Sequence, residues 1–414
     1  MEKNRKNVIL IKNTSYLYLL TVSTQLLNVI YIPYITRVFG PERYGMISLA
    51  LSIMTYLQLT LDMGFILSAT SSVSEHENDI AYLSKLFSII TVYKAFAGLL
   101  LISLLTVICY SVEALKGVGH LVTLYGIAYL LNAFLPDYIY RGKQKMKNIT
   151  LRTILVKLIF TVLVFVLVKN REDYIKLPLL LMIGNAIALL ISYIDLRINF
   201  GIGFRGFSFY ELKYEVKKAF PFYVSRIAST CYQALNTIMI GFIYPGQAEV
   251  GYYGSADKMA MLVKTASSPI ADSIYPYMLK EKNYRLIKRL IILYAVLAAI
   301  VTWPVFMFAP DIAGFVFGNE YRDAGQVIRY LLPGMLVIFP SYLICFPVLV
   351  PLSHSKEANI SNIIGAVIQC SALLVMWITG KAVLRNICIM ASISEVVVFL
   401  YRLFVWIKYR DHSK

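Results

Sequence analysis

Apolar runs of about 20 residues alternate with short polar links along nearly the whole chain. A helix rising about 1.5 Å per residue needs roughly that length to cross about 30 Å of hydrocarbon. The pattern predicts twelve crossings. They lie near 13–38, 44–68, 84–110, 119–140, 149–168 and 177–198 in the first half, and near 218–243, 250–278, 286–309, 327–350, 359–379 and 383–406 in the second. Two of the links stand out. TRVFGPERYG (36–45) joins crossings one and two, and IYPGQAEVGYYG (243–254) joins seven and eight. Gly40 and Gly45 have the five-residue spacing of Gly246 and Gly251, displaced by 206 residues. Each pair is expected to give a tight turn left-handed backbone angles, with Tyr44, Tyr252 and Tyr253 as membrane-interface anchors.

A second match follows in the same order. FLPDYIYRGKQKMKNI (134–149) is similar to IFPSYLICFPVLVPLSHSKEANI (338–360), the later copy being about seven residues longer. Six crossings per copy start both halves on the same side. The expected fold is therefore an all-α polytopic membrane protein of two parallel-repeat six-helix lobes, 1–205 and 206–414. Such lobes suit alternating access around a central cavity.

Composition agrees with the pattern. The chain is 58% hydrophobic and 15% charged, against roughly 25% charged in an average soluble domain. The basic start MEKNRKNVILIKN leads into an apolar run too long for a signal peptide, so the first segment is expected to remain as a crossing. Five cysteines, at 109, 231, 345, 370 and 388, sit singly in apolar runs, and four histidines are scattered. They read as helix residues rather than metal or redox sites.

The net charge of +17 does not indicate nucleic acid, because the basic residues cluster in links between apolar runs. With the N-terminus and alternate links taken as cytoplasmic, 24 of the 40 basic residues fall on that side and 10 on the other. The bias predicts cytoplasmic N- and C-termini.

Charges inside the crossings mark candidate sites, since each needs a wet cavity, a partner or a route to the interface. Lys94, Lys157, Arg226 and Lys264 lie at similar expected depths, near or just below the midplane. Facing a common cavity, they would form a ring suited to a phosphate or pyrophosphate, with Arg226 gripping oxygens bidentately and the lysines as point charges. Lys258 sits beside Asp257, nearer the outer end of its crossing. Arg402 is expected to snorkel. The embedded acids Asp62, Asp257, Asp272 and Glu395 are ion-coupling candidates, and Glu395 has no basic residue one turn away. Gln25 with Asn28, and Gln233 with Asn236, repeat a three-residue step that puts two amides on one helix face. Those faces suit sugar hydroxyls, or equally neighbouring helices.

Catalysis has no support in the sequence. There is no GxxxxGK[ST] phosphate cradle and no histidine placed to complete a triad. The longest outer link, 309–325, is too short for a catalytic domain.

Three segments, RVFGPERYGMISLALSIMTYLQLTLDMGF (37–65), KAFPFYVSRIASTCYQALNTIMIG (218–241) and EVGYYGSADKM (249–259), by their order and spacing carry a resemblance that spans essentially the whole chain. In these the chain resembles the polysaccharide transporter branch of the multidrug/oligosaccharidyl-lipid/polysaccharide (MOP, MATE-like) exporter superfamily, of O-antigen flippase type. The resemblance implies export of an undecaprenyl-pyrophosphate-linked oligosaccharide, such as an O-antigen repeat unit, from the cytoplasmic to the periplasmic face. Ion-coupled alternating access would drive it, with a proton or sodium ion coupled and no cofactor. It also implies roles for Asp62 in LDMGF, Arg226 in YVSRIAS, and Asp257 with Lys258 in SADKM. The expected partners are the lipid-linked substrate, membrane lipids, a polysaccharide polymerase and a chain-length regulator, with the carrier acting as a monomer. The alternative reading is a multidrug or metabolite cation antiporter of the related drug-export branch. The mostly basic set of embedded charges disfavours it.

Overall fold

The structure is a computed structural model that describes residues 2–409, with side chains described except at 2–11, 225 and 228–233. The described chain is built of helices: α1 (Glu2–Asp62), α2 (Phe65–Glu75), α3 (Ile80–Ser111), α4 (Gly119–Ala133), α5 (Asp137–Gly142), α6 (Met146–Leu167), α7 (Lys176–Phe200), α8 (Phe209–Ile243), α9 (Ala248–Glu281), α10 (Tyr284–Met307), α11 (Ala309–Phe317), α12 (Ala324–Leu349), α13 (Ser355–Ile378) and α14 (Leu384–Tyr409). All twelve apolar windows fall on this framework. Among the described residues, nine helical stretches are long and apolar enough to cross a membrane, and the first, Lys12–Glu75, holds two of the windows. The windows on α8 and α9 are the other two; the first carries Lys218 and Arg226, the second Asp257, Lys258, Lys264 and Asp272. The protein is an all-α, multi-pass membrane protein.

Packing divides the chain into two compact units. One comprises the chain through Phe39 together with Leu49–Ile227; the other comprises Gly40–Ser48 and everything from Ala228 onward. The expected boundary at 205/206 is thus displaced, for a visible reason. After α7 ends on left-handed Gly201 (φ 65°), Gly203 N donates to Ser84 Oγ and Arg205 N to Ser88 Oγ, at 3.3 and 2.7 Å. Glu211 then pairs with Lys85, and Lys218 Nζ donates to Ser72 Oγ at 2.8 Å. The start of α8 is stitched to α2 and α3 before the second unit begins.

Each unit repeats one packing scheme. In the first, the α4–α5 crossing packs on α2, α3 and α7, and α6 packs on α7. In the second, α12 packs on α9, α10 and α14, and α13 packs on α14. Crossing for crossing these correspond, as six-helix repeats predict. Lipid gives helices no hydrophobic reason to associate, so close packing and polar ties hold them. In the first unit, buried Arg152 donates to Asp137 Oδ1 (2.6 Å) and Ser192 Oγ (2.8 Å), tying the fourth, fifth and sixth crossings. In the second, Arg402 is 5% exposed. Its Nε donates to Ser361 Oγ, Nη1 to Ser341 Oγ and Nη2 to Asn362 Oδ1, each at 2.8 Å, tying α14 to α12 and α13. Arg402 therefore does not snorkel. Its donors are satisfied inside the protein.

The repeated glycines divide their work. Gly40 breaks α1 at φ 70°, and Gly246 adopts φ 72° in the turn before α9. Gly45 and Gly251 instead lie within helices and permit close approach. A Cβ on Gly251 would stand 2.0 Å from Pro41 O, and one on Gly45 would stand 2.9 Å from Gly251 N. Tyr44 and Tyr253 are 3% and 2% exposed, so they are packed residues and not interface anchors. Tyr44 and Tyr252 both meet the buried Tyr321 ring edge-on, at 6.4 and 6.1 Å. In the link at 169–176, hydrogen bonds from Lys176 Nζ and the amides of Lys169 and Asn170 hold the Asp173 carboxyl down to about 2.

Candidate functional site

In the first unit α1 ends at Asp62, and the chain turns through Met63 (φ 45°) and Gly64 (φ 80°) into α2. Gly64 has no side chain because a Cβ would sit 2.6 Å from Ala219 O. That close approach brings α8 alongside, and Arg226 Nη1 donates to Asp62 Oδ2. The Arg226 side chain is 39% exposed and that of Asp62 14%. Beside them, Thr60 Oγ1 and the Tyr223 hydroxyl lie 3.1 Å apart, and Tyr93 OH donates to Thr60 O at 3.2 Å. The sequence does not show this pairing, since the partners are 164 residues apart.

Lys94 lies elsewhere in the same unit, 5% exposed. Its Nζ donates to Ala133 O at 2.6 Å and stands 5.9 Å from the centroid of the Tyr138 ring. A packed lysine bonded to a backbone carbonyl is a helix tie, which is not the cavity position expected from its depth. Lys157 is partly buried and has no hydrogen-bond or ion-pair partner for its ammonium among the described residues. Asn28 Nδ2 faces Gln25 Oε1 on α1 at 3.5 Å, so the predicted shared face exists.

Two cavities lie among the described residues of the second unit. One, of about 650 Å³, is lined by Asn236, Tyr253, Asp257, Gln369, Ser394 and Met335 among others. The other, of about 930 Å³, is lined by Ser268, Asp272, Ser341, Tyr342, Asn362 and Arg402 among others. Lys264, Ile338 and Glu395 line both. Lys264 Nζ donates to Glu395 Oε1 at 2.6 Å, and the two side chains are 23% and 22% exposed. The partner that one helical turn fails to supply to Glu395 comes from α9, 131 residues away.

A chain of amides and hydroxyls closes the smaller cavity. Ser394 Oγ donates to Gln369 Oε1 (2.8 Å), Gln369 Nε2 to Asn236 Oδ1 (2.7 Å), and Asn236 Nδ2 to Tyr253 OH (3.0 Å). Asn236 was legible from its helix-face pattern, whereas Gln369 and Ser394 carry no local signal that separates them from ordinary polar helix residues. Gln233 lies outside the described side chains. Asp257 lines the smaller cavity with no hydrogen bond or ion pair among the described residues, within electrostatic reach of Lys258, Lys264 and Glu395. Asp272 accepts from Ser268 Oγ at 3.2 Å on the larger cavity's wall. No group of three or more His, Cys, Asp or Glu residues able to hold a metal ion occurs among the described residues.

A model of the family described as "Polysaccharide biosynthesis protein" matches residues 10–282. The chain belongs to that family. It is 25% identical, over 86% of its length and 90% of the relative's, to a Shigella dysenteriae protein named "Putative O-antigen transporter". An Escherichia coli K12 protein of the same name is 24% identical over 91% of each chain. Among solved structures, the chain's fold is similar to that of the lipid II flippase MurJ in an inward closed conformation. The TM-score is 0.71 at 14% identity, covering 95% of this chain and 87% of that one. An inward-facing multidrug-resistance MATE transporter of the MOP superfamily gives a TM-score of 0.66 at 15% identity, covering 95% and 96%. At those identities the likeness shows the fold alone.

Proposed function

We propose that this chain flips a lipid-linked oligosaccharide, an O-antigen repeat unit or a similar surface glycan on undecaprenyl pyrophosphate, across the bacterial inner membrane from the cytoplasmic to the periplasmic face. The observation that carries the reading is Lys264, a membrane-embedded cation on the wall of both cavities of the second unit, in a chain of the polysaccharide biosynthesis family. Arg226, the partly exposed cation of the first unit, is assigned the same anionic group. A guanidinium presents paired donors to phosphate oxygens and an ammonium a point charge, so each suits a pyrophosphate without fixing its sugar. Asn236, Gln369 and Ser394 offer the exchangeable amide and hydroxyl bonds that suit sugar hydroxyls. The carrier acts as a secondary transporter without a cofactor.

Of the four coupling candidates, Asp62 and Glu395 are held by cations and Asp272 by a serine hydroxyl. Asp257 is the acid we assign to the coupling ion, proton or sodium. The two named relatives support transport of this kind, and the MurJ likeness supplies a fold compatible with it. The alternative, a cation antiporter, would draw on the same acids, and Glu395 is already held by Lys264.

The test is transfer of fluorescent undecaprenyl-pyrophosphate-linked oligosaccharide across proteoliposomes containing the purified protein. Faster transfer than in protein-free vesicles, competed by other pyrophosphate-linked glycans, is the expected result. Transfer at the protein-free rate, with active efflux of cationic dyes, would replace the reading with the antiporter.

A further inference from the structure

Both cations assigned to the substrate are already occupied, each by a carboxylate of its own unit. Arg226 holds Asp62, and Lys264 holds Glu395 at 2.6 Å. Other embedded cations are held differently. Lys94 donates to a carbonyl, and Arg402 to hydroxyl, amide and carbonyl oxygens. The further embedded pair, Arg152–Asp137, has an arginine side chain only 4% exposed, against 39% for Arg226 and 23% for Lys264. Among the described embedded cations, Arg226 and Lys264 combine carboxylate pairing with a partly exposed side chain.

The geometry points to Asp62 and Glu395 as built-in counter-anions, each filling its cation's place in the empty carrier and yielding it to the pyrophosphate of the substrate. This rests on the proposed function and adds a role for two acids that neither the fold nor the cavity lining assigns. A carrier releases its cargo and must return empty. An unpaired charge in a low-dielectric interior is strongly unfavourable, and an internal carboxylate keeps the empty site neutral during that return. The same carboxylate competes with the substrate. A pyrophosphate brings several oxygens and more charge than one carboxylate, so it wins the cation, but with reduced net affinity. Reduced affinity permits release at the far face.

The surroundings of Glu395 allow it to move aside. From α9 it is faced by Asp257, Lys264 and Tyr253 and from α12 by Tyr342, and along α14 Arg402 shares the wall of the larger cavity with it. Among the described residues, α8 and α13 add only neutral Asn236, Asn362 and Gln369 to the cavity walls. Both cavities border Glu395, so a displaced carboxylate has room on either side.

The test uses the purified full-length protein in nanodiscs with farnesyl pyrophosphate as probe. Glu395→Gln and Asp62→Asn are each expected to bind the probe about tenfold more tightly than wild type, while Lys264→Ala binds it more weakly. Tighter binding cannot arise from misfolding. In the wild type, the probe is expected to raise modification of Glu395 by a hydrophobic carbodiimide, read by mass spectrometry, because the carboxylate has left its lysine. Unchanged or weaker affinity in both folded variants, or unchanged or reduced modification in wild type that binds the probe, overturns the counter-anion role. Wild type that fails to bind the probe counts against the pyrophosphate reading itself, so the two failures are distinguishable.

Discussion

Lys94 and Lys264 look alike in the sequence, each a lone lysine at mid-depth in an apolar helix. Their surroundings separate them. Lys94 is enclosed and bonded to Ala133 O, and Lys264 borders two cavities. Lys94→Met should therefore lower the thermal midpoint in detergent, because Ala133 O loses its ammonium donor. It should leave the affinity for farnesyl pyrophosphate within about twofold of wild type. Binding measured on the folded fraction checks this, and a tenfold loss would return Lys94 to the binding set. Asp257 is assigned the coupling ion, so Asp257→Asn should flatten the dependence of flipping on imposed pH or sodium gradients. An unchanged dependence removes it. Depth along a helix was legible in the sequence because it follows from counting residues. The direction each side chain faces was not, because it depends on neighbours 131 or 164 positions away.

At the scale of elements, the twelve apolar windows all fall on helices, since crossing length is set by the bilayer and not by tertiary detail. The glycine pairs were legible as special positions, although only Gly40 and Gly246 serve as left-handed turns. Gly45 and Gly251 serve contact, which the five-residue spacing does not reveal. Two variants separate these roles. Gly246→Ala meets no atom within 4 Å, so its cost is the left-handed backbone alone, about 1 kcal/mol. Gly251→Ala forces a Cβ against the Pro41 backbone and should cost more, about 1–3 kcal/mol. Thermal melts in detergent rank the two, and equal melting temperatures would refute the contact role. Tyr44 and Tyr253 show the limit of composition rules, since aromatic residues near a crossing's end read as interface anchors until packing buries them.

At the scale of the whole molecule, internal duplication was legible because matched motifs recur at a displacement of 206 residues, and the two units repeat the same set of helix contacts. The unit boundary was not legible. It depends on serine hydroxyls of α3 capturing the amides of 203 and 205, a contact with no compositional signature. The basic links also predict a topology that can be tested directly. Single cysteines introduced at Gln144 and Asn283 in an otherwise cysteine-free protein should react with a membrane-impermeant maleimide only after the inner face is opened. Cysteines at Asn170 and Glu320 should react from outside. The reverse pattern would invert the assigned direction of transport.

The claim beneath the rest is that Arg226 in the first unit and Lys264 in the second are each a contact for the pyrophosphate during transport. The direct measurement is the initial rate at which fluorescent undecaprenyl-pyrophosphate-linked oligosaccharide changes leaflet in proteoliposomes containing the Arg226→Ala/Lys264→Ala double variant, matched to wild type for folded protein. Each charged contact is worth about 1.5–3 kcal/mol, so the rate should fall at least about tenfold. A double variant that moves the substrate at the wild-type rate would contradict the account.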